Sequence, residues 1–377
     1  MTDKVTIINQ VAGPMCIDIA NSFEKKGWDT TLITGVMEPT YAILDEKVKL
    51  IKGITYQRNQ AAFRILTWFG FFFQSLFRLL WSEKSRKLLL VSNPPLAPFL
   101  GLIMNKVFGQ KYDLLIYDIY PDVLYEMGYI SKSSLIYKIL IWLNIKTFVR
   151  ANRVITLSEG MKEILSKYVS TDKIEIIPCW VDNSKIKPII PKSKNQFAVK
   201  YKQENKTTIL YSGNMGTAHN VEIIIEAAKE LQNNSRIHFL LIGNGVKFDK
   251  VNKLISDYRL NNVTLLPFQE ADIVPYSMAC GDISIVTTEE KAGSFMIPSR
   301  TFYYMAAGSK ILAICKPQSE LDILMQSKNI GKSVLHNVSS LELASIIREL
   351  SKDISKERKM EISGFSNHFN KDHANKF

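Results

Sequence analysis

The stretch TTILYSGNMGTAHNVEIIIEAAKEL, residues 207–231, sets an apolar β-branched run, a glycine-bearing loop and a helical pattern one after another. TTILYSGN (207–214) reads as a strand, Ser212 to His219 as a loop, and 220–232 as a helix with apolar residues at intervals of three and four. A buried run without strict alternation, joined by a short loop to an amphipathic helix, is half of a βαβ unit, and its repetition builds a parallel sheet covered on both faces.

The unit recurs outward in both directions. Downstream, IHFLLIGNG (237–245), VTLLPF (263–268), ISIVTT (283–288), KILAIC (310–315) and KSVLHN (332–337) read as strands with helices between them. Upstream, VTIINQ (5–10), TTLITG (30–35), LLLVSNPP (88–95), LLIYDIYP (114–121), RVITLS (153–158) and IEIIPCWVD (174–182) do the same. Helical stretches at 15–26, 61–81, 97–108, 134–150 and 159–169 lie among these upstream strands. The polar, proline- and lysine-bearing segment 183–206 interrupts the alternation and reads as a linker. The expected organisation is a first domain over 1–182, the linker 183–206, a second domain over 207–350 and a charged helical tail over 351–377 that packs back on the first domain. The fold class is α/β, with two doubly wound parallel sheets.

The length of 377 residues suits two to three domains with well-buried cores. With 48 basic and 36 acidic residues the net charge is +12, which favours nucleic acid, an anionic membrane or a phosphorylated ligand. The four cysteines are far apart, so neither a zinc-type pair nor a disulfide framework is available, and a reducing setting fits. The N-terminal residues run directly into a β-branched segment, without the pattern of a signal peptide.

Residues 61–81, AAFRILTWFGFFFQSLFRLLW, hold eight aromatics, and from Lys47 to Ser82 there are six Lys or Arg and no carboxylate. Arg64, Gln74 and Arg78 interrupt the segment at helical intervals. A spanning helix needs about 20 apolar residues, so an interfacial helix, with cations meeting anionic lipids, is expected instead. A buried interdomain helix is the alternative.

Ligands of open parallel sheets bind beyond the carboxyl ends of the strands. Three glycine loops of the second half lie there: Ser212 to His219, Gly243-Asn244-Gly245, and Lys291 to Arg300. Glycines let backbone N–H groups approach an anion, and a helix N-terminus adds positive potential, although a tight turn alone accounts for such loops equally well. Phe248 stands where a dinucleotide fingerprint needs its third glycine. Arg300 falls in a first helical turn, where the dipole disfavours a cation unless an anion binds or an ion pair forms. No Asp-x-Asp occurs in the chain, which argues against a metal-held diphosphate.

YSGNMGTAHNVEIIIEAAKEL, LLIGNG, PSRTFYYMAAGSKILAI and SELDILMQSKNIG, together with SNPPLAPFLG, YDIYPD, ITLSEGM and IPCWVD in the first half, resemble the retaining GT-B glycosyltransferases of family four. The likeness is to the N-acetyl-L-fucosamine transferase type of bacterial surface-polysaccharide synthesis. It implies a GT-B fold, with two Rossmann-like domains facing a central cleft. It also implies a UDP-type nucleotide sugar as donor substrate without further cofactor, and a polyprenyl-diphosphate-linked saccharide as acceptor. The implied site is peripheral, on the cytoplasmic inner face of the bacterial cell membrane, at an anionic surface.

Asn214 and His219 occupy positions where many relatives carry a basic pair, and Phe295 and Tyr303 occupy those of the family's paired glutamates. Glu289 and Glu290 lie nearby at a different spacing. The resemblance implies Asp118 and Arg300 as catalytic residues. Donor contacts fall to Gly213, Asn214, Gly216, His219, Gly243, Asn244, Phe268, Gly293, Ser294, Ser299 and Tyr303, and acceptor contacts to Gly13 and Asp122. A metal is not expected. Two other readings are a nucleotide-sugar epimerase of the same double-sheet fold, which needs no acceptor, and a non-catalytic nucleic-acid-binding protein, for which no basic-aromatic motif is visible.

Overall fold

The computed structural model describes residues 2–38, 41–57, 61–216, 219–288 and 297–377. The chain divides into two compact units, Met1–Cys179 with Lys371–Phe377, and Trp180–Asn370.

The first unit contains β1 (Lys4–Ile8), β2 (Val11–Ala12), β3 (Asp29–Thr34), β4 (Val36–Met37), β5 (Lys49–Lys52), β6 (Lys87–Val91), β7 (Tyr112–Leu115), β8 (Val154–Thr156) and β9 (Ile174–Ile176). Its helices are α1 (Pro14–Lys25), α2 (Ala61–Leu80), α3 (Pro98–Phe108), α4 (Asp122–Glu126), α5 (Leu135–Arg150) and α6 (Glu159–Leu165). The main sheet has the order β5-β3-β1-β6-β7-β8-β9, all parallel, and β2 pairs with β4 beside it. The central strands are buried on both faces, as their uninterrupted apolar runs require. The sheet-edge strand β5 was invisible to the apolar-run criterion, because its sequence KLIK places a lysine at each end and it is largely exposed. Lysine is a common protection of a sheet edge.

The second unit carries β10 (Thr207–Asn214), β11 (Ile237–Asn244), β12 (Val263–Leu266), β13 (Ile283–Thr287), β14 (Lys310–Ile314) and β15 (Gly331–Val334), in the parallel order β12-β11-β10-β13-β14-β15. Its helices are α7 (Gln196–Lys200), α8 (Glu222–Glu230), α9 (Phe248–Asp257), α10 (Val274–Cys280), α11 (Arg300–Ala306), α12 (Glu320–Lys328), α13 (Ser340–Leu350) and α14 (Lys356–Phe365). One core cluster joins Ile209, Tyr211, Phe239, Leu241, Ile283 and Ile285 of the sheet to Ile224, Ile225, Leu343 and Ile347 of α8 and α13.

Two expectations about chain organisation need correction. The segment 183–206 is not a free linker: it is part of the second unit, and the fully buried Asn195 caps α7 by accepting the N–H groups of Phe197 and Ala198 at 3.0 and 3.3 Å. Within it Lys192 Nζ reaches the buried Asp282 at 2.8 Å. The tail is also divided. Residues 351–370 stay with the second unit, where Ser363 Oγ donates to the Ala306 carbonyl and Phe369 packs on Phe302. Only 371–377 belong to the first unit, tied to α1 by Ser22 Oγ to Asn375 Oδ1 and by Lys26 Nζ to the Asn375 carbonyl. Polarity alone misjudged both segments, since their charged groups are satisfied by specific partners.

The helix at 61–81 forms, as α2, and no described helix is long and apolar enough to cross a membrane. Its arginines, however, are not on the exposed side. Arg64, Trp68, Phe71, Ser75 and Arg78 recur along one helical face that contains the fully buried Phe71 and Ser75. Gln74 Oε1 accepts the Ile54 N–H and Arg78 donates to the Lys52 carbonyl, so these polar groups satisfy the edge of the sheet. The opposite face presents Leu66, Phe69, Phe73, Phe77 and Leu80, with Phe73 60% and the following Trp81 80% exposed.

Candidate active site

The second unit brings its glycine loops together at the carboxyl ends of the central strands. Gly213 of β10 is in register with Gly243 of β11, and Asn214 with Asn244. A Cβ on Gly243 would lie 2.0 Å from the Gly213 carbonyl oxygen, so only glycine permits this approach of the two strands. Tyr211 donates its hydroxyl to the Asn214 carbonyl at 2.7 Å, and Met215 N–H reaches the Asn244 carbonyl at 2.8 Å. The fully buried Tyr304 of α11 accepts the Ser212 N–H at 2.8 Å and donates to its carbonyl at 3.1 Å. Strand ends that would otherwise fray are thereby held by side chains from α11 and from β10 itself.

Arg300, the first residue of α11, lies across this turn. Its guanidinium carbon sits 5.3 Å from the Tyr211 ring centroid. A Cβ on Gly213 would meet its terminal nitrogen at 2.5 Å, so the glycine makes room for the cation. That nitrogen, Nη1, is buried without an acceptor among the described residues. A buried, charged donor left unanswered is costly, and an anion arriving there would remove the cost.

His219 lies close by. Its Nδ1 is 3.2 Å from Thr287 Oγ1 at the end of β13, and its carbonyl accepts from Lys247 Nζ at 2.8 Å. Burial, reinforced by the Arg300 charge, pushes its imidazole down to about 4. At neutral pH the ring is therefore uncharged, and with Lys247 paired to Glu222, Arg300 is the cation of this turn that has no ion pair among the described residues. The helix that follows contributes less than expected. The first turn of α8 already carries Glu222, which pairs with Lys247 and Lys250 at 3.0 and 2.9 Å and bonds to its own backbone N–H.

The remaining expected donor residues are placed as follows. Gly216 and the exposed Asn214 and Asn244 border the same turn. Phe268, 56% exposed, stands just past β12 with its ring free of the core. Ser299 precedes Arg300 and offers no side-chain cap to α11, and Tyr303 lies one turn along the same helix. Gly293 and Ser294 lie outside the described residues, as do Glu289, Glu290 and Phe295. Tyr211 and Thr287, which carry Arg300 and His219, were not picked out from the sequence. Both belong to strand runs, where alternation marks them as core.

In the first unit, Asp118 follows β7 in a loop whose Tyr117 and Asp118 N–H groups both reach Ser92 Oγ, at 2.9 and 3.2 Å. Burial pushes its carboxyl upward, and the carboxylate makes no hydrogen bond or ion pair with a described residue. Asp122 is different: it opens α4 and accepts the Tyr168 hydroxyl, so its carboxylate is committed within the unit. Gly13 caps α1 in extended backbone, close to Glu38 Oε2. Among the described residues no group of three or more His, Cys, Asp or Glu is placed to hold a metal ion.

Thermal stability is expected to fall on acidification from pH 7 towards 4. His219 and His238 are both held near 4, chiefly by burial, against about 6.5 for a free imidazole. Between those values the unfolded chain binds more protons than the folded one, so stability rises with pH across the window and is complete above it. Melting curves across this range, with His219→Gln and His238→Gln flattening the dependence, provide the check. A profile unchanged by either substitution would mean that neither ring is held neutral.

Parallel sheets with this order, in two Rossmann-like units, define the GT-B fold. Sucrose-phosphate synthase from Thermosynechococcus elongatus superposes with a TM-score of 0.76 at 14% identity, over 99% of this chain and 96% of that one. Anabaena Alr3699/HepE, in complex with UDP and glucose, superposes with a TM-score of 0.72 at 14% identity, over 99% and 97%. Residues 192–295 match the family model Glycosyl transferases group 1. The chain is 26% identical over 263 residues to the probable glycosyltransferase WbjE of Pseudomonas aeruginosa, covering 69% of this chain and 64% of WbjE. The match thus spans slightly less than two thirds of that relative. Over residues 192–295 the chain is thus similar to the glycosyl transferases group 1.

Proposed function

We propose that the protein is a glycosyltransferase of bacterial surface-polysaccharide synthesis. It moves a sugar, of the N-acetylated amino-sugar class, from a UDP-type donor to a polyprenyl-diphosphate-linked saccharide. The observation that carries this reading is the unanswered Nη1 of Arg300 beside the glycine-opened ends of β10 and β11. The UDP complex of Alr3699/HepE and the match to WbjE support it.

In this reading the donor diphosphate lies against Arg300 and the Gly213–Gly216 turn, with Asn214, His219, Gly243, Asn244, Ser299 and Tyr303 around it and the base against Phe268. Gly293 and Ser294 complete the set. Negative charge grows on the departing diphosphate, and a preorganised guanidinium stabilises it more in the transition state than in the ground state. Retention follows from front-side attack, in which the departing phosphate oxygen takes the acceptor hydroxyl proton. Asp118 orients the reacting sugar, and Gly13 and Asp122 border the acceptor. Turnover is expected to survive EDTA, and loss restored by Mg²⁺ or Mn²⁺ would refute metal independence.

The test is release of UDP from UDP-sugars with and without a lipid-linked acceptor. Release that requires acceptor supports transfer, whereas conversion of the donor alone would mark an epimerase. Asp118→Asn is expected to lower turnover about a hundredfold while UDP affinity and melting temperature hold, since a proton-handling or orienting carboxylate contributes on that order. A parallel fall in melting temperature would make Asp118 a structural residue.

In this reading the outward aromatic face of α2 rests on the cytoplasmic leaflet, a role supported by the exposed Lys49 and Lys52 near the helix. Cosedimentation with phosphatidylglycerol vesicles is expected, weakened by salt and by Phe73→Ser with Phe77→Ser. Vesicle binding unaltered by that double substitution would exclude α2 as the contact.

A further inference from the structure

Arg64 is the anomaly of α2. It lies on the helical face that holds the buried Phe71 and Ser75, and not on the exposed aromatic face. Its guanidinium rests 5.8 Å from the Trp68 ring centroid. Among the described residues its buried Nε has no acceptor and no ion pair balances its charge. Gln74 accepts the Ile54 N–H, and Arg78 donates through Nη2 to the Lys52 carbonyl although its Nη1 has no acceptor among the described residues. Among the described residues Arg64 has an aromatic face as its partner, which offsets part of the desolvation of a cation and leaves its hydrogen-bonding capacity open.

The surroundings are built. Trp68 is stacked parallel to Tyr56 at 6.5 Å and meets Tyr120 edge-on at 6.4 Å. Tyr56 follows β5, and Tyr120 belongs to the Asp118–Asp122 loop after β7. The fully buried Gln10, past the end of β1, donates to the Thr67 carbonyl at 3.0 Å and the Ile54 carbonyl at 3.2 Å. It therefore seats the Arg64–Trp68 turn on the carboxyl ends of the strands, where parallel sheets take ligands. Its own Oε1 has no donor among the described residues. On the far side of the same turns, Phe63, Leu66 and Phe69 are exposed.

We infer that Arg64, with Trp68, Tyr56 and Tyr120, forms a binding site for the phosphate of an apolar-tailed diphosphate, the tail lying along the exposed aromatic face of α2. This rests on the transferase reading for the identity of the ligand as the acceptor. A guanidinium takes phosphate through two parallel N–H bonds, and the aromatic walls exclude water around them. The shared chemistry is a phosphate ester with a hydrocarbon tail, which a bilayer headgroup also offers.

The experiment titrates the full chain with farnesyl diphosphate, farnesol, inorganic pyrophosphate and phosphatidylglycerol vesicles, and separately with UDP. Farnesyl diphosphate is expected to bind more tightly than either half-ligand. Arg64→Ala should weaken it about tenfold or more, the scale of a lost charge-assisted bidentate contact. Arg64→Lys should restore part of the affinity, and Trp68→Ala should weaken binding as well. UDP affinity in each variant serves as the folding control. Arg300→Ala should leave farnesyl diphosphate binding intact. Undiminished binding in Arg64→Ala overturns the inference, as does a wild-type protein that ignores farnesyl diphosphate. Loss of vesicle binding alone in Arg64→Ala also overturns it and gives the phosphate to the bilayer. A protein that binds farnesyl diphosphate through Arg64 but takes no UDP would keep the site and sink the transferase reading instead.

Discussion

Arg300→Ala is expected to lower UDP affinity and to depress turnover further, by about a hundredfold to a thousandfold, the scale of removing one preorganised charged donor. The argument is electrostatic. Arg300 is packed on Tyr211 and against Gly213, with its Nη1 buried and unanswered, so its orientation is set before any ligand arrives. The neutral His219 cannot substitute for it, and the first turn of α8 is already answered by Glu222. Because charge develops on the leaving diphosphate, the loss should be larger in turnover than in ground-state binding, as comparison of the specificity constants reads directly. His219→Ala should cost less above pH 7. Unchanged UDP affinity in Arg300→Ala, with a large loss in His219→Ala, would transfer the role to the histidine. Binding of a diphosphate beside His219 should also raise its pKa. UDP affinity should therefore increase as pH falls below neutrality, and His219→Gln should abolish that increase.

Asp282→Ala is expected to destabilise the protein by about 3–5 kcal/mol, the scale of breaking a buried ion pair by removing one partner. Asp282 precedes β13 and is almost wholly buried. Its Oδ2 accepts from Lys192 Nζ and the Thr208 N–H, both at 2.8 Å, and its Oδ1 from Lys359 Nζ at 2.6 Å. Burial pushes the carboxyl up, but the two ammonium groups and their hydrogen bonds outweigh it and hold the value below the ordinary carboxylate range. One carboxylate thus fastens the segment leading into β10 and the helix α14 to the same sheet. Its removal leaves two largely buried lysines uncompensated. Urea unfolding of the wild type and of Asp282→Ala measures the cost, and the stabilisation should disappear as pH falls below about 4, where the unfolded chain takes up the proton that the folded one refuses. A midpoint shift equivalent to less than about 1 kcal/mol, the value typical of an exposed pair, would show that the cluster is solvent-screened.

These two residues illustrate how differently sequence and structure speak. Arg300 was legible, because a cation in a first helical turn after a glycine loop contradicts the helix dipole and so demands a partner. Asp282 was not, since its partners are 90 residues upstream and 77 downstream in the chain and belong to segments that polarity alone assigns to a linker and a tail. Arg64 was read from the chain as a cation for lipid headgroups. Its place on the buried face, over Trp68 and with an Nε that has no acceptor among the described residues, is visible only in the structure.

By itself the sequence determined the two parallel α/β halves, the glycine turns at the strand ends and the aromatic helix, because strand runs, turn residues and helical spacing are local properties of the chain. Tertiary structure alone decided which charges are spent and which are free. Glu222, Asp122 and Lys192 are consumed by neighbours, whereas among the described residues Arg300 and Arg64 each keep a buried nitrogen without an acceptor and the Asp118 carboxylate has no partner. The reason is physical: whether a polar group is satisfied depends on donors and acceptors brought within about 3 Å by packing, and residues distant in sequence supply them.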